Sequence, residues 1–294
     1  MSKFNKNYKF FPPTILDKLL PYFLLLPTIS YLAFFIGYPM AQAVALASSG
    51  PGGLIANVAN MLADPYFYEA LTNTLLLAAM IIPLQVALAL GFALLINTKF
   101  PGYNILLYIL VLPLTISDVA AGLIWYSMLS PYGFLNKFLI DLRILKRPIY
   151  FFGYQFKRME YLAIVITEVW RATAIVFVII LAGLQMISKE YLEAAEVFGA
   201  GSLQRLKHIT LPLLKPSLQA ALIIRTLFAF QVFGQVWILA GRDVPVLAGE
   251  AYYQQVEIKN YGRAALYSLI IAVLSMAVGW FYIRFLKSTY IEGG

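Results

Sequence analysis

The sequence predicts an all-α membrane protein with six transmembrane helices, on three observations. Of its 294 residues, 61% are hydrophobic and only 12% charged. That is about half the charge of a soluble domain, so the apolar surface exceeds what one core of this size hides. Six mainly apolar stretches, near 22–44, 71–96, 105–129, 162–184, 218–240 and 264–286, reach the roughly 20 residues a helix needs to cross hydrocarbon. The stretches are also continuous rather than short and alternating, so their backbone groups are satisfied within helices and not around a barrel.

In order along the chain, residues 1–20 form a polar tail with Lys3, Lys6, Lys9, Lys18 and Pro12-Pro13, expected at the cytoplasmic membrane surface. Residues 21–294 form one six-helix membrane unit with no internal repeat. The first apolar stretch is too long for a signal-peptide core and lacks a small-residue cleavage site, so it stays as a helix. Pro27, Pro39, Pro83 and Pro113 are expected to kink or interrupt the helices that carry them. Gly50-Pro51-Gly52-Gly53 marks a turn in the first outer loop, and Thr98 to Gly102 a tight inner turn. The longest outer loop, 130–160, carries Tyr150, Phe151, Phe152 and Tyr154, rings suited to headgroup depth. An inner loop, 185–216, and a last outer loop, 241–262, complete the order.

Six spans put both termini on one side, and the lysines ahead of the first span place that side in the cytoplasm of a cell-membrane protein. The net charge of +8 comes from dispersed basic residues, which suit a lipid surface rather than nucleic acid. The chain has no cysteine, which excludes disulfides, thiolate metal sites and a cysteine nucleophile. Its one histidine, His208, lies between Lys207 and Ile209 with no ligand partner in sequence, so no metal site is expected.

The inner loop holds the most informative pattern. Ser188 is placed to cap a helix whose first turn carries Glu190, suited to the positive end of the dipole. Glu190, Glu193 and Glu196 recur every three residues as an acidic stripe, beside a more apolar face of Tyr191, Ala195 and Phe198. Ala194 and Ala195 permit close approach, and Gly199 with Gly201 permits a sharp turn. Ser202 then caps a second short helix that Pro212 is expected to end. Such a bent element, held between two membrane spans, is something a soluble partner could grip.

Glu193-Ala194-Ala195, Gly199 and Ile209-x-Leu211-Pro212 resemble, in residue and spacing, the cytoplasmic signature of membrane subunits of binding-protein-dependent ABC importers. Leu112-Pro113, Gly122 to Trp125, Gly133 to Asn136, Glu168 to Trp170, Leu181 to Gln185, Phe228 to Phe233 and Tyr261 to Ala265 are similar to the carbohydrate-uptake branch, of the maltose and glycerol-phosphate first-permease type. Three positions depart from that pattern: no proline stands near Ser188, Phe198 replaces an acidic residue, and Gly241-Arg242-Asp243 stands for Gly-Gly-Pro.

The resemblance implies a type I importer fold with a coupling helix, working by alternating access. It also implies a second, usually different, permease subunit, two ATPase subunits below and an extracytoplasmic sugar-binding protein above. The chain has no Gly-x-x-x-x-Gly-Lys-Ser/Thr sequence, so ATP and its Mg²⁺ belong to the partner ATPase. Coupling then falls to Glu193, Ala194, Ala195, Phe198, Gly199, Ala200, Ile209, Leu211 and Pro212, with Glu193 facing a basic residue of the ATPase.

By the same resemblance, the fourth and fifth spans line the substrate path with Glu168, Trp170, Arg171, Ala172, Ile175, Ala229, Gln231 and Val232, and Gln235 one turn on. Sugars suit an aromatic ring for stacking and amides or carboxylates for hydrogen bonds, which favours Trp170 and Gln231. Two alternatives stand beside this reading: Glu168 and Arg171, three apart, pair with each other, and Trp170 and Gln231 are packing contacts. Asp118, Glu168, Arg171 and Arg225 are ionisable residues within predicted spans, each costing about 2.5–3.5 kcal/mol on insertion scales unless it faces the protein interior. An ion-driven secondary carrier is the alternative function, and would show inverted repeats with interrupted helices.

Overall fold

The computed structural model describes residues 15–285, with side chains from 19 to 284. The basic tail through Lys9, Pro12-Pro13 and Lys287 lie outside the described residues. Among these residues the chain is helical. Five helices are long and apolar enough to cross a bilayer, and one bent pair supplies a sixth span.

Helix α1 is a single rod of Ile15–Leu32, a π-helical turn Ala33–Gly37, and Tyr38–Ala47. The π turn ends two residues before Pro39, a residue with no N–H to give the ladder, and such bulges accommodate the gap. None of the α1 window is buried, as expected of a helix solvated by lipid. Helix α2 (Gly53–Leu62) leads to α3 (Pro65–Asn97), where the Asp64 side chain caps the start by accepting from Tyr66 N at 2.9 Å. Pro83 sits inside α3 without breaking it.

The third expected span is not one rod. Helix α4 (Tyr103–Val111) runs into a 3₁₀ turn, Leu112–Thr115. The chain then breaks and resumes as α5 (Asp118–Leu129) and α6 (Phe134–Asp141), 107° away in direction. Pro113 cannot donate to the ladder, Ile116 is extended, and the Ser117 side chain starts the new helix by accepting from Ala120 N at 3.2 Å. Asn136 then closes the long outer loop, donating to Ser130 O at 2.9 Å and Ile149 O at 3.0 Å and accepting from Ile149 N at 2.8 Å.

Helix α7 (Lys157–Gln185) is the central span, 61% of its window buried, and packs chiefly on α3. After α8 (Lys189–Val197) comes α9, one rod of Ser202–Arg205, a π turn Leu206–Thr210, and Leu211–Phe230. Pro212 therefore does not end the second short helix; the π turn two residues ahead absorbs its missing donor, as it does before Pro39.

The fifth span also ends earlier than its hydropathy suggests, at Phe230. The chain breaks at 231–233, and α10 (Gly234–Leu239) turns back to pack on α5. Helix α11 (Leu247–Val256) packs on α12 (Tyr261–Phe285), which returns along α9, where Gln219 Nε2 donates to Tyr282 O at 3.3 Å. The last residues of α12 thus lie at the same end as α8.

Gly183 sets the spacing between α7 and α9, since a Cβ there would stand 2.2 Å from Ser217 Oγ and 2.6 Å from Ser217 Cβ. Only a glycine lets the two rods meet this closely. At the end opposite α8, Asp64 pairs with Arg263 and Glu69 with Lys157 at 2.5 Å, tying the start of α3 to α12 and α7.

Candidate functional site: a solvent-facing elbow and a charged intramembrane cleft

The inner loop folds as an elbow. Ser188 Oγ accepts from Glu190 N at 3.3 Å and so caps α8. At the other end Phe198 N reaches Ala194 O at 3.2 Å, Gly199 N reaches Glu196 O at 2.9 Å and Ala200 N reaches Ala195 O at 2.9 Å. Gly199 holds φ +79°, the left-handed value that ends helices at low cost only for glycine. Gly201 does not share this role; its backbone is extended (φ −66°, ψ 165°) and it, rather than Ser202, is the cap of α9. Its N–H donates to Gln204 Oε1 at 2.9 Å. Across the bend Arg205 Nη1 meets Glu196 Oε2 at 3.0 Å.

The elbow presents Glu193, Ala194, Phe198 and Gly199 to solvent, with Ala195, Ala200, Ile209, Leu211 and Pro212 half-buried behind them. Its tip is apolar: Phe198 is 90%, Val197 86% and Leu203 77% exposed. Apolar groups exposed at a capped, ordered turn make this tip a candidate surface for another protein. A cavity of about 370 Å³, lined by Leu94, Asn97, Leu184, Leu192 and Leu206 among others, lies between the elbow and the ends of α3 and α7.

The second feature lies inside the bundle. Arg225 on α9, 1% exposed, donates through Nε to Gln85 of α3 and through Nη2 to Glu168 Oε1 of α7. Gln235 of α10 donates to Glu168 Oε2, and Gln85 Nε2 to the Glu168 carbonyl at 2.8 Å. Arg171 Nη2 lies 3.5 Å from Glu168 Oε2 and 2.7 Å from Asp118 Oδ1, at the start of α5 just past the helix break. Two carboxylates, two guanidiniums and the amides of Gln85 and Gln235 thus join five helices. Burial of Glu168 alone would be costly, and pairing with Arg225 offsets it.

This arrangement divides the residues expected along the substrate path. Arg171, Ala172 and Ile175 line a cleft of about 200 Å³ with Leu114, Asp118, Arg225 and Phe228. Glu168 turns away from the cleft into the network, which includes the i,i+3 pairing with Arg171. Trp170 lies edge-on to Trp125, with centroids 5.9 Å apart, and lines a separate groove with Pro113 and Phe177. Ala229 and Val232 sit in apolar core clusters, Gln235 is buried, and Gln231 is exposed. Sequence reasoning left Gln85 and Phe228 out of the path and gave Asp118 no role. The position of Asp118 behind Pro113 and Ser117 was the available signal.

At the end opposite α8, Arg242, one of the departures from the expected pattern, pairs with Glu250 at 2.9 and 3.1 Å and stacks 3.8 Å over the Tyr253 ring.

Comparison with known proteins gives these features a context. The family model described as binding-protein-dependent transport system inner membrane component matches residues 85–288. The sulfoquinovosyl glycerol transport system permease protein of Agrobacterium fabrum (strain C58 / ATCC 33970) is 33% identical over 287 residues, 92% of each chain. The trehalose/maltose transport system permease protein of Thermococcus litoralis is 29% identical over 90% of this chain and 92% of its own. A chain of a bacterial ABC transporter involved in the import of the acidic polysaccharide alginate shares the fold, with a TM-score of 0.79 at 23% identity, covering 94% of this chain and 98% of that one. The elbow, the bent third span and the family match over two thirds of the sequence lead to one conclusion: this chain belongs to the inner membrane components of binding-protein-dependent transport systems, as a multi-pass permease subunit of an ABC importer and not an enzyme.

Proposed function

We propose that this chain forms half of the translocation path of an ATP-driven sugar importer. A second permease subunit supplies the other half, and two ATPase subunits that hold ATP and Mg²⁺ dock at the elbow. The elbow and both termini face the cytoplasm, and an extracytoplasmic binding protein delivers the sugar at the opposite end. The observation that carries the reading is the elbow's exposed apolar tip, Val197, Phe198 and Leu203, at the head of the rod whose far end holds Arg225 in the cleft. One continuous helix joins a surface for a soluble partner to the lining of the path.

Relatives include permeases for trehalose/maltose and for sn-glycerol-3-phosphate, which supports a sugar or polyol derivative as cargo. The test is ATP-driven uptake in vesicles holding the complete transporter. Glu193→Lys and Gly199→Trp are expected to leave membrane insertion intact and to abolish uptake; full uptake with both changes rejects the coupling role.

A further inference from the structure

The cleft beside Arg171 has a chemistry that selects among sugars, and the selection rests on the importer reading above. Four ionisable side chains form or directly back its wall: Asp118, Glu168, Arg171 and Arg225. Two are acids and two are bases, and each base is already committed to an acid. Arg225 is held by Glu168 with both residues 1% exposed, and Arg171 is held by Asp118 at 2.7 Å. Among the described residues, no other ionisable side chain lines the cleft.

From this pairing we infer that the cleft is built for an uncharged sugar and rejects one carrying a carboxylate, phosphate or sulfonate. An anion entering here finds no free cation. To reach Arg171 it must displace Asp118, which leaves that carboxylate beside a second negative charge in a poorly solvated site. A hydroxyl meets no such conflict. It can donate to Asp118, whose side chain is 44% exposed, and accept from a guanidinium N–H. The 54%-exposed Phe228 ring offers a face for the apolar side of a pyranose. The Arg171 guanidinium, the Asp118 carboxylate and the ring form the set a neutral polyol uses, and the charges sum to zero without it.

The test changes the charge of the cleft in single steps. Asp118→Asn makes it more positive, Arg171→Gln more negative, and the double variant restores balance. Asp118 is partly exposed and Ser117, not Asp118, caps α5, so the isosteric change leaves the fold in place. Equilibrium binding of radiolabelled trehalose, maltose, glucose 1-phosphate and glucuronate would be measured on the purified complex of both permeases and the ATPases. Leaving out the binding protein keeps its own selectivity from entering.

Wild type is expected to hold the neutral sugars at least about tenfold more tightly than the anions. The anion-to-neutral ratio should rise about tenfold in Asp118→Asn, fall in Arg171→Gln and return toward wild type in the double variant. A merely structural role for the pair would lower all four affinities together and give no such order. Preference of the wild type for an anion, or a ratio that ignores the charge steps, overturns this inference while leaving the importer reading intact. Failure of the complete transporter, binding protein included, to take up any sugar with ATP overturns the importer reading itself.

Discussion

The elbow and the intramembrane network invert each other's chemistry. The elbow leaves Phe198, Val197 and Leu203 exposed, whereas the network seals Glu168 and Arg225 among apolar spans. The elbow is locally made: every bond that shapes it, from the Ser188 cap to the Glu196–Arg205 pair, joins residues close in sequence. The network is assembled from far apart, with Gln85, Glu168 and Arg225 separated by 57 to 140 positions. A locally built element keeps its shape while its surroundings move, and a distributed one reports any rearrangement of the helices that hold it. Changes to the sealed Glu168–Arg225 pair are therefore expected to act on stability, and changes to the elbow on transport.

The largest effect should come from breaking one side of the buried pair. Arg225→Met leaves the Glu168 carboxylate without its main cation and is expected to cost about 3–5 kcal/mol, read as a large drop in unfolding temperature in detergent. Adding Glu168→Gln should recover much of that loss. Equal stability of the single and double variants would mean that the pair is not the network's centre.

Between the two regions, Gly183→Val drives a side chain into Ser217 and should cost about 1–3 kcal/mol by overpacking. Stability unchanged in the same thermal assay would show that α7 and α9 separate freely, and that the rods do not carry the close contact described above.

At the elbow, Phe198→Asp should move stability by no more than about 0.5 kcal/mol and yet lower ATP-driven uptake about tenfold. A variant that loses stability and transport in parallel would erase the distinction between the two regions. The smallest effect belongs to Glu196→Ala. It removes a solvent-screened pair worth about 0.2–1 kcal/mol, and its cost should shrink as salt is raised.

The same contrast explains how much could be read from the chain. Hydropathy located α3 and α7 to within a few residues at their inner ends, because a bilayer-length apolar run has one compact solution in lipid. The elbow was legible for the same local reason: Ser188, Gly199 and the alanines act through neighbours in sequence. The bend after Pro113 was legible as an interruption but not as a 107° turn, since its direction depends on where α10 packs. Apolar character continues past Phe230 through Trp237, so nothing local announced the break at 231–233. Gln85 carried no signal at all, because a glutamine in an apolar run gains meaning only from the arginine it meets 140 residues later. Pro212 misled because a proline ahead of an apolar run reads equally well as a stop or as the first turn of a longer helix.

The unbroken course of α9 has a mechanical consequence. Its 29 residues make a beam about 43 Å long at the usual helical rise. Rocking such a beam by about ten degrees around its midpoint shifts each tip by roughly 3.8 Å, several times the slack of a hydrogen bond. Any stroke delivered at the Ser202 end must then either drag Gln85 and Glu168 along with Arg225 or tear them from it.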